Sequence, residues 1–190
     1  MDSRSDKDLI AAYLDSRDEA ALEALVGRYL GPVYRFAYRY TGNAPDAEDI
    51  AQEALVRAWR NLKKFDRTRN FKPWVLAIAR HAALDLKKRK RALPFSALDA
   101  SDNEEGESFE GRIADQEPLA SDTLAKKDEA RVLEAALARL SPAARLAIFL
   151  HDYEDLTFRE ISEILDESVD TLKSRHRRAR ETLKKVLRAT

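Results

Sequence analysis

Two helical patterns separated by a sharp turn occupy the last third of the chain. The first opens at Thr157 and ends at Leu165, and the second begins at Val169 after three intervening residues. Apolar residues recur three and four apart in both patterns, and basic residues fill the opposite side of the second. This order is typical of a helix-turn-helix, whose second helix enters the major groove of DNA. It predicts a helical unit with a nucleic-acid partner.

Charge is segregated along the chain, although the 34 basic and 34 acidic residues cancel. Residues 80–91 contain six basic groups and one acid, and residues 171–190 contain eight basic groups and one acid. Residues 93–122 contain nine acids and one base. Two separate basic clusters indicate a polyanionic partner that is contacted at two places.

The composition favours helix throughout, because alanine, leucine, glutamate, arginine and lysine are abundant and only five glycines occur. We predict an all-α fold of two small helical domains joined by an acidic flexible linker, the second domain containing the helix-turn-helix. The predicted boundaries are residues 1–92, the linker 93–122, and residues 123–190. No apolar run of eighteen residues and no signal peptide occur, which predicts a cytoplasmic protein without membrane insertion.

Apolar periodicity predicts the individual helices. In the first domain they run from Asp18 to about Tyr40, over residues 45–64, and from Phe71 to about Arg91. In the second domain, Ser141 and Pro142 supply an N-cap and a first-turn proline. The apolar face expected for the helix that follows them comprises Leu146, Phe149, Leu150 and Tyr153.

The last helix divides into an apolar stripe and a basic face. His176 lies on the stripe, so it is expected in the core. Arginine and lysine on the basic face can pair with phosphates or guanine edges, and serine and threonine can reach the backbone or bases. The alternative is an ordinary solvated surface. The candidate DNA contacts are Thr171, Lys173, Ser174, Arg175, Arg177 and Arg178.

Three further surfaces are candidates in the first domain. The segment from Phe65 to Trp74 mixes aromatic and basic residues, as single-stranded nucleic-acid binders do, although its aromatic rings could equally close the core. The basic run from Lys87 to Arg91 could contact phosphates or complement a helix dipole. Asp49, Gln52 and Glu53 share one helix face that suits a basic protein partner, or a solvated face with an i, i+4 pair from Glu53 to Arg57.

No catalytic constellation is visible, so the sequence predicts a protein that is not an enzyme and has no cofactor. The three histidines, at positions 81, 151 and 176, lie far apart in the sequence without metal-ligand spacing. No glycine-rich phosphate loop occurs, and the absence of cysteine excludes thiolate metal sites.

Two ordered stretches resemble the extracytoplasmic function (ECF) group of bacterial sigma factors. One is the run DAEDIAQEA from Asp46, followed by FKPWVLAIAR from Phe71. The other comprises Leu140-Ser141-Pro142, the segment from Thr157 to Leu165, and the TLKSR and RAR runs of the last helix. Asp166 and Asp170 stand where the family usually has glycine in the turn, and His81 stands where it commonly has asparagine.

The resemblance implies a transcription initiation factor that binds core RNA polymerase and promoter DNA, with an anti-sigma factor as a further partner. It implies that Asp49, Gln52 and Glu53 contact the polymerase. It assigns to the −10 element Lys64, Phe65, Arg69, Asn70, Phe71, Lys72, Arg80, His81, Lys87 and Lys88. It assigns to the −35 element Arg159, Thr171, Lys173, Ser174, Arg175, Arg177 and Arg178.

Two other hypotheses remain open at this point. The chain could be a sigma-like decoy that sequesters an anti-sigma factor, although the basic residues Lys173, Arg175 and Arg178 argue against that role. It could also be a stand-alone regulator that binds a palindrome as a dimer. A sigma factor is expected to be a monomer when free, so the oligomeric state separates these hypotheses.

Overall fold

The computed structural model describes residues 2–92 and 135–188, and all regular elements within these ranges are helical. The predicted linker, residues 93–122, lies outside the described residues, as do residues 123–134 of the second predicted domain. In the described part of the chain, no helix is both long enough and apolar enough to cross a lipid bilayer.

The first block contains four α-helices with side-chain caps at the starts of three. They are α1 (Asp6–Ser16), α2 (Glu19–Thr41), α3 (Ala44–Asn61) and α4 (Phe71–Ala92), with a 3-10 turn over Leu62–Lys64. Ser5 and Asp8 form a capping box on α1, and the side chains of Asp18 and Asn43 cap α2 and α3. The three helices predicted from periodicity are confirmed within a few residues.

Helix α1 was not predicted from the sequence. Only Leu9, Ile10 and Tyr13 are buried in it, and acidic and basic residues surround them. Its apolar stripe is therefore too short to stand out as a periodic pattern. The capping box from Ser5 to Asp8 was the one local signal of its start.

The second block ends in the helix-turn-helix. Its elements are α5 (Pro142–Ile148), a π-helical segment (Phe149–Tyr153), α6 (Phe158–Leu165) and α7 (Val169–Arg188), and residues 135–138 are also helical. The predicted cap at Ser141 is confirmed, since its side chain accepts a hydrogen bond from the Ala144 amide. Thr157 and Glu160 form a capping box at the start of α6.

The π-helical segment corrects the predicted apolar face of the helix after Ser141. The amide of Glu154 donates to the carbonyl oxygen of Phe149 at 3.0 Å, five residues back. This wider turn rotates the chain away from the period of 3.6 residues on which the prediction relied. Tyr153 consequently leaves the core and is 61% exposed, while Phe149 and Leu150 remain buried.

The turn between α6 and α7 uses aspartate where a left-handed residue is needed. Asp166 has φ 53° and ψ 47°, and its amide bonds the carbonyl oxygen of Ser162. The short polar side chain of aspartate tolerates this conformation, although less readily than glycine does. Ser168 then accepts a hydrogen bond from the Thr171 amide at 3.2 Å, which caps the start of α7.

The two blocks pack against each other. Phe149, Leu150, Ile161 and other residues of the second block join the same cluster of buried side chains as the helices of the first. At their junction lies Glu154, which is only 4% exposed and forms ion pairs with Arg35 of α2 at 3.4 Å and Lys72 of α4 at 3.1 Å.

Candidate nucleic-acid interface

Helix α7 presents two faces of opposite character. Leu172, His176 and Ala179 are buried against the rest of the second block, which confirms the expectation that His176 lies in the core. The predicted DNA contacts lie away from that buried face: Thr171, Lys173, Arg177 and Arg178 are exposed, and Ser174 and Arg175 are half-buried. A basic helix face next to a capped turn has the form needed for insertion into a major groove.

Arg175 is the most firmly positioned of these cations. Its guanidinium makes two contacts with the carboxylate of Glu167, at 2.9 and 2.7 Å. This bidentate pairing fixes the direction of the side chain and neutralises its charge. Arg178 instead donates to the carbonyl oxygen of Ser174 at 3.3 Å and remains exposed to solvent.

The aromatic rings predicted to bind a nucleobase are packed inside the first block. Phe65 and Phe71 are 6% and 5% exposed. Their centroids lie 5.4 Å apart, and Phe71 is also 4.9 Å from Tyr29. Trp74 is partly buried and packs on both, as one of the two alternatives for this segment predicted. Neither phenylalanine offers an open face for stacking in this conformation.

The polar residues of the same loop contact the second block. Arg69 forms an ion pair with Glu163 of α6, and Asn70 donates to Glu160 of α6 at 2.8 Å. Lys72 reaches both the carboxylate and the carbonyl oxygen of Glu154. Lys64, which precedes the loop, is exposed. Much of the loop's hydrogen-bonding capacity is therefore directed towards acidic groups of the second block.

A cavity of about 510 Å³ lies where this loop, α1 and the second block meet. Its wall includes Tyr29, Arg69, Asn70, Lys72 and Glu154. Burial, followed by the hydrogen bond that its hydroxyl donates to Asp6, raises the pKa of Tyr29 well above its ordinary value. The Tyr29 hydroxyl is thus engaged as a donor to Asp6, which lines the same cavity.

Helix α4 carries the remaining predicted contacts on one side. His81, Lys87 and Lys88 are exposed and Arg80 is half-buried. Residues seven apart lie almost in line along a helix, so Lys87 follows Arg80 and Lys88 follows His81. This basic stripe points in one direction and is compatible with tracking a phosphate backbone.

The acidic patch on α3 combines surface and structural roles. Asp49 and Gln52 are exposed. Glu53 forms the predicted pair with Arg57 at 2.7 Å, and Arg57 also bonds Asp85 of α4 at 2.8 Å. The hydrogen bonds from Arg57 lower the pKa of Asp85, and in turn they raise that of Arg57. Glu53 thus belongs to a network that ties α3 to α4.

Two exposed apolar residues beside this patch were not predicted to belong to it. Val56 and Trp59 are 38% and 47% exposed, and they lie four and seven residues after Gln52 on the same side of α3. The Trp59 indole donates to the Tyr13 hydroxyl at 2.7 Å, which fixes the ring at the surface. Their spacing of four and seven residues from Gln52 indicates that they share its helix face. In the sequence, however, they are difficult to distinguish from the apolar residues that form the buried stripe of α3.

The structure brings together two of the three histidines that are far apart in the sequence. The rings of His151 and His176 lie 4.7 Å apart at 88°, and the His176 Nε2 lies 2.8 Å from an Asp152 oxygen. His81 is on α4 in the other block and is exposed. Sequence spacing alone gave no indication of this pair.

Comparison with known protein families identifies both blocks. The family description Sigma-70 region 2 matches residues 25–93, and Sigma-70, region 4 matches residues 130–183. The ECF RNA polymerase sigma factor SigW of Bacillus subtilis is 34% identical over 172 residues, 90% of this chain and 91% of that protein. The ECF RNA polymerase sigma-E factor of Escherichia coli is 33% identical over 168 residues, 87% of this chain and 86% of that protein.

Solved structures give the same answer for the fold. The sigma factor RpoE, in complex with the anti-sigma factor NepR from Bartonella quintana, aligns with a TM-score of 0.62 and 25% identity. That alignment covers 87% of this chain and 96% of RpoE. CnrH, in complex with the cytosolic domain of CnrY, aligns with a TM-score of 0.59 and 24% identity, over 97% of this chain and 99% of CnrH.

Proposed function

The chain belongs to the extracytoplasmic function group of sigma factors, and from that premise we propose that it binds core RNA polymerase and directs it to promoters with specific −10 and −35 elements. The observation that carries this proposal is that both sigma-70 regions occur in order within one chain. Sigma factors are initiation factors, not enzymes, and the chemistry belongs to the polymerase. Because polymerase and chromosome are the partners, we place the protein in the cytoplasm.

The two blocks bind different promoter elements. Residues 1–92 act as the region 2-like domain, which docks on the polymerase and binds the −10 element. Residues 123–190 act as the region 4-like domain, which reads the −35 element. Residues 93–122, with nine acids and one base, form the linker between them.

Helix α7 reads the −35 element in this proposal. Thr171, Lys173, Ser174, Arg177 and Arg178 face away from the buried stripe and are positioned to reach bases and phosphates. Arg159 is exposed in the first turn of α6 and contacts the DNA backbone. Arg175 joins them once its pairing with Glu167 is exchanged for a contact to DNA.

The −10 element is bound by the loop before α4 and by the basic stripe along that helix. Arg80, His81, Lys87 and Lys88 contact upstream DNA through its phosphates. Lys64, Arg69, Asn70 and Lys72 bind the opened strand, while Phe65 and Phe71 support the loop from the core and reach a base when the loop moves.

Promoter DNA and the second block compete for the same loop. Arg69, Asn70 and Lys72 are bonded to Glu163, Glu160 and Glu154 in the conformation described above. Phosphate would need to displace these acidic groups, so the packed form must open before the loop can bind the −10 element. In the proposed mechanism, docking on polymerase supplies this step by separating the two blocks.

The polymerase-binding surface is the outer face of α3. Asp49, Gln52 and Glu53 provide negative charge for a basic partner surface, and the neighbouring Val56 and Trp59 provide apolar area. A large exposed aromatic residue next to a charged rim is the usual composition of an energetically important contact.

An anti-sigma factor is a further proposed partner, because RpoE was solved in complex with one. The competing decoy role requires binding to an anti-sigma factor without binding to promoters. The dimeric-regulator hypothesis leaves the region 2 match in the first block unexplained.

The proposal is tested by gel filtration of the protein alone and with core RNA polymerase, followed by footprinting on promoter DNA. A free monomer that joins the polymerase and protects two DNA segments upstream of the start site supports a sigma factor. Polymerase or anti-sigma binding without promoter protection would support the decoy. A dimer that binds DNA without polymerase would support the stand-alone regulator.

A further inference from the structure

The π-helical segment and α7 together bring three metal-binding side chains to one place. His151 and Asp152 come from the segment Phe149–Tyr153, and His176 comes from the middle of α7. One potential ligand atom from each lies within 4.8 Å of the other two. We propose that His151, Asp152 and His176 form a binding site for a divalent cation of the zinc class.

The donor set selects among metals. Two imidazoles and one carboxylate suit Zn²⁺, Co²⁺ and Ni²⁺, whereas Mg²⁺ and Ca²⁺ prefer oxygen ligands alone. Ligand atoms about 2.1 Å from a tetrahedral centre lie roughly 3.4 Å from each other. The present separations, from 2.8 Å between Asp152 and His176 up to the 4.8 Å limit, bracket that value. Small side-chain movements would close the site, with water as a fourth ligand.

The hydrogen bonding of His151 leaves its Nε2 available as a metal ligand. Its Nδ1 lies 2.7 Å from the carbonyl oxygen of Leu156, which can only accept a hydrogen bond. Nδ1 therefore carries the proton, and the lone pair is on Nε2. Metal-binding histidines commonly donate their second ring nitrogen to a backbone carbonyl in this way. The ring also stacks on Phe158, with centroids 4.2 Å apart, so its position is fixed.

His176 and Asp152 complete the site with different degrees of exposure. The His176 side chain is 8% exposed and its Nε2 lies 2.8 Å from Asp152, whose side chain is 39% exposed. The cation would take the place of the hydrogen on His176 Nε2 in its contact with Asp152, and the ring would stay a neutral imidazole because its one proton would then be carried on Nδ1. Because Asp152 is accessible to solvent, the ion can reach the site from the surface. The buried His176 would then bind the ion on the side of the core.

A cation bound there would link α7 to the π-helical segment that precedes α6. This site does not depend on the proposed promoter recognition, because it follows from the three side chains alone. A ligand that binds only the folded arrangement raises the midpoint of thermal unfolding as its concentration increases. The second block would therefore unfold at a higher temperature with Zn²⁺ than without it.

The direct test follows the three histidines of the full-length chain by NMR during titration with Zn²⁺. The chain has no cysteine to compete for the metal, and His81 is an internal control on the other block. With Zn²⁺, the imidazole signals of His151 and His176 should shift and saturate near one equivalent, while the His81 signal stays unchanged. With Mg²⁺, the signals of all three histidines should stay unchanged. Equal response of His81, or no saturable shift at all, would overturn the proposal.

Variants provide an independent readout by calorimetric Zn²⁺ titration. Asp152→Asn and His151→Gln alter exposed or half-buried groups, so they should fold as the parent chain does, which circular dichroism checks. Each should weaken Zn²⁺ binding by about tenfold or more, and His81→Gln should bind as the parent does. Unchanged binding in both site variants would overturn the assignment and indicate a cluster that is held by its hydrogen bonds alone.

Discussion

The carboxylate of Glu154 lies 3.1 Å from the ammonium group of Lys72, although the two residues belong to different blocks of the chain. Arg35 approaches the other oxygen at 3.4 Å. Since Glu154 is 4% exposed, these two cations replace the water that its charge would otherwise need. This buried acid is therefore one of the contacts that hold one block against the other.

Replacing Glu154→Gln should destabilise the packed form. The amide cannot neutralise Arg35 and Lys72, and its NH₂ group would face their donors. We expect a loss of about 1–3 kcal/mol in the free energy of unfolding, measured by urea denaturation. Glu23→Gln, at an exposed position on α2, is the matched control and should change stability by less than about 0.5 kcal/mol. Equal stabilities for both variants would contradict a structural role for Glu154.

Releasing the loop should strengthen its binding to single-stranded DNA. Glu160→Gln combined with Glu163→Gln removes the acidic partners of Asn70 and Arg69 while leaving a glutamine that can still serve the capping box. We expect the affinity for a −10 oligonucleotide to rise by roughly tenfold, since about 1.4 kcal/mol of competing contact is removed. Fluorescence anisotropy measures this affinity directly.

The control for this experiment must match the change in charge. Glu23→Gln combined with Glu181→Gln removes two acidic charges from exposed positions on α2 and α7. A similar gain in affinity for this control would mean that net charge, and not release of the loop, explains the result.

Acidification should weaken the same junction. Burial raises the pKa of Glu160, but the hydrogen bonds from Asn70 and Thr157 outweigh it and depress the pKa below its usual value. The stabilisation is fully present above the unfolded pKa of about 4.3 and is lost as pH falls through the lower folded pKa. Urea midpoints measured from neutral pH down through this range should fall less steeply in Glu160→Gln than in the parent chain. If the urea midpoints of both proteins fall equally steeply with pH, the Glu160 carboxylate does not contribute to the pH dependence of stability.

Removing the guanidinium of Arg178 should impair −35 recognition. Arg178→Ala is expected to weaken promoter binding by the polymerase complex by about 1–3 kcal/mol if the side chain reads a base. A phosphate contact would instead lower affinity evenly across sequences and reduce its salt dependence. Transcription assays on promoters with altered −35 elements distinguish these outcomes. Arg180→Ala, two residues along α7 and exposed on another side, is the control and should have little effect.

Polymerase docking should depend on the outer face of α3. Asp49→Ala combined with Trp59→Ala removes a charge and an apolar ring without touching the network of Glu53, Arg57 and Asp85. We expect the dissociation constant for core polymerase to rise by tenfold or more, since central aromatic contacts commonly contribute about 2 kcal/mol. Unaltered affinity in a folded variant would show that this patch is ordinary surface.

Local chemistry made much of the fold predictable. The cap at Ser141 and the apolar periods of the long helices gave most helix boundaries, because both signals act over neighbouring residues. The left-handed conformation of Asp166 is also a local property, because this residue stands where the family usually has glycine in the turn. The all-α fold was thereby predictable from the sequence, and the resemblance to sigma factors rested separately on the ordered motifs of the two blocks.

Features that depend on the approach of distant residues were not predictable. The buried ion pairs of Glu154 and the pairing of His151 with His176 arise only when the blocks and helices pack. The exposure of Tyr153 reflects one additional residue in a turn, which a period of 3.6 cannot anticipate. The packing of Phe65 and Phe71 in the core was one of two alternatives that composition left equally open.

The most direct test of the central claim is transcription from a genomic fragment library by core RNA polymerase with and without this protein. We predict specific transcripts that appear only with the protein and whose upstream regions share two elements at −10 and −35. These transcripts should weaken in the Arg178→Ala variant. Stable polymerase binding without any protein-dependent transcript would contradict the assignment as an initiation factor.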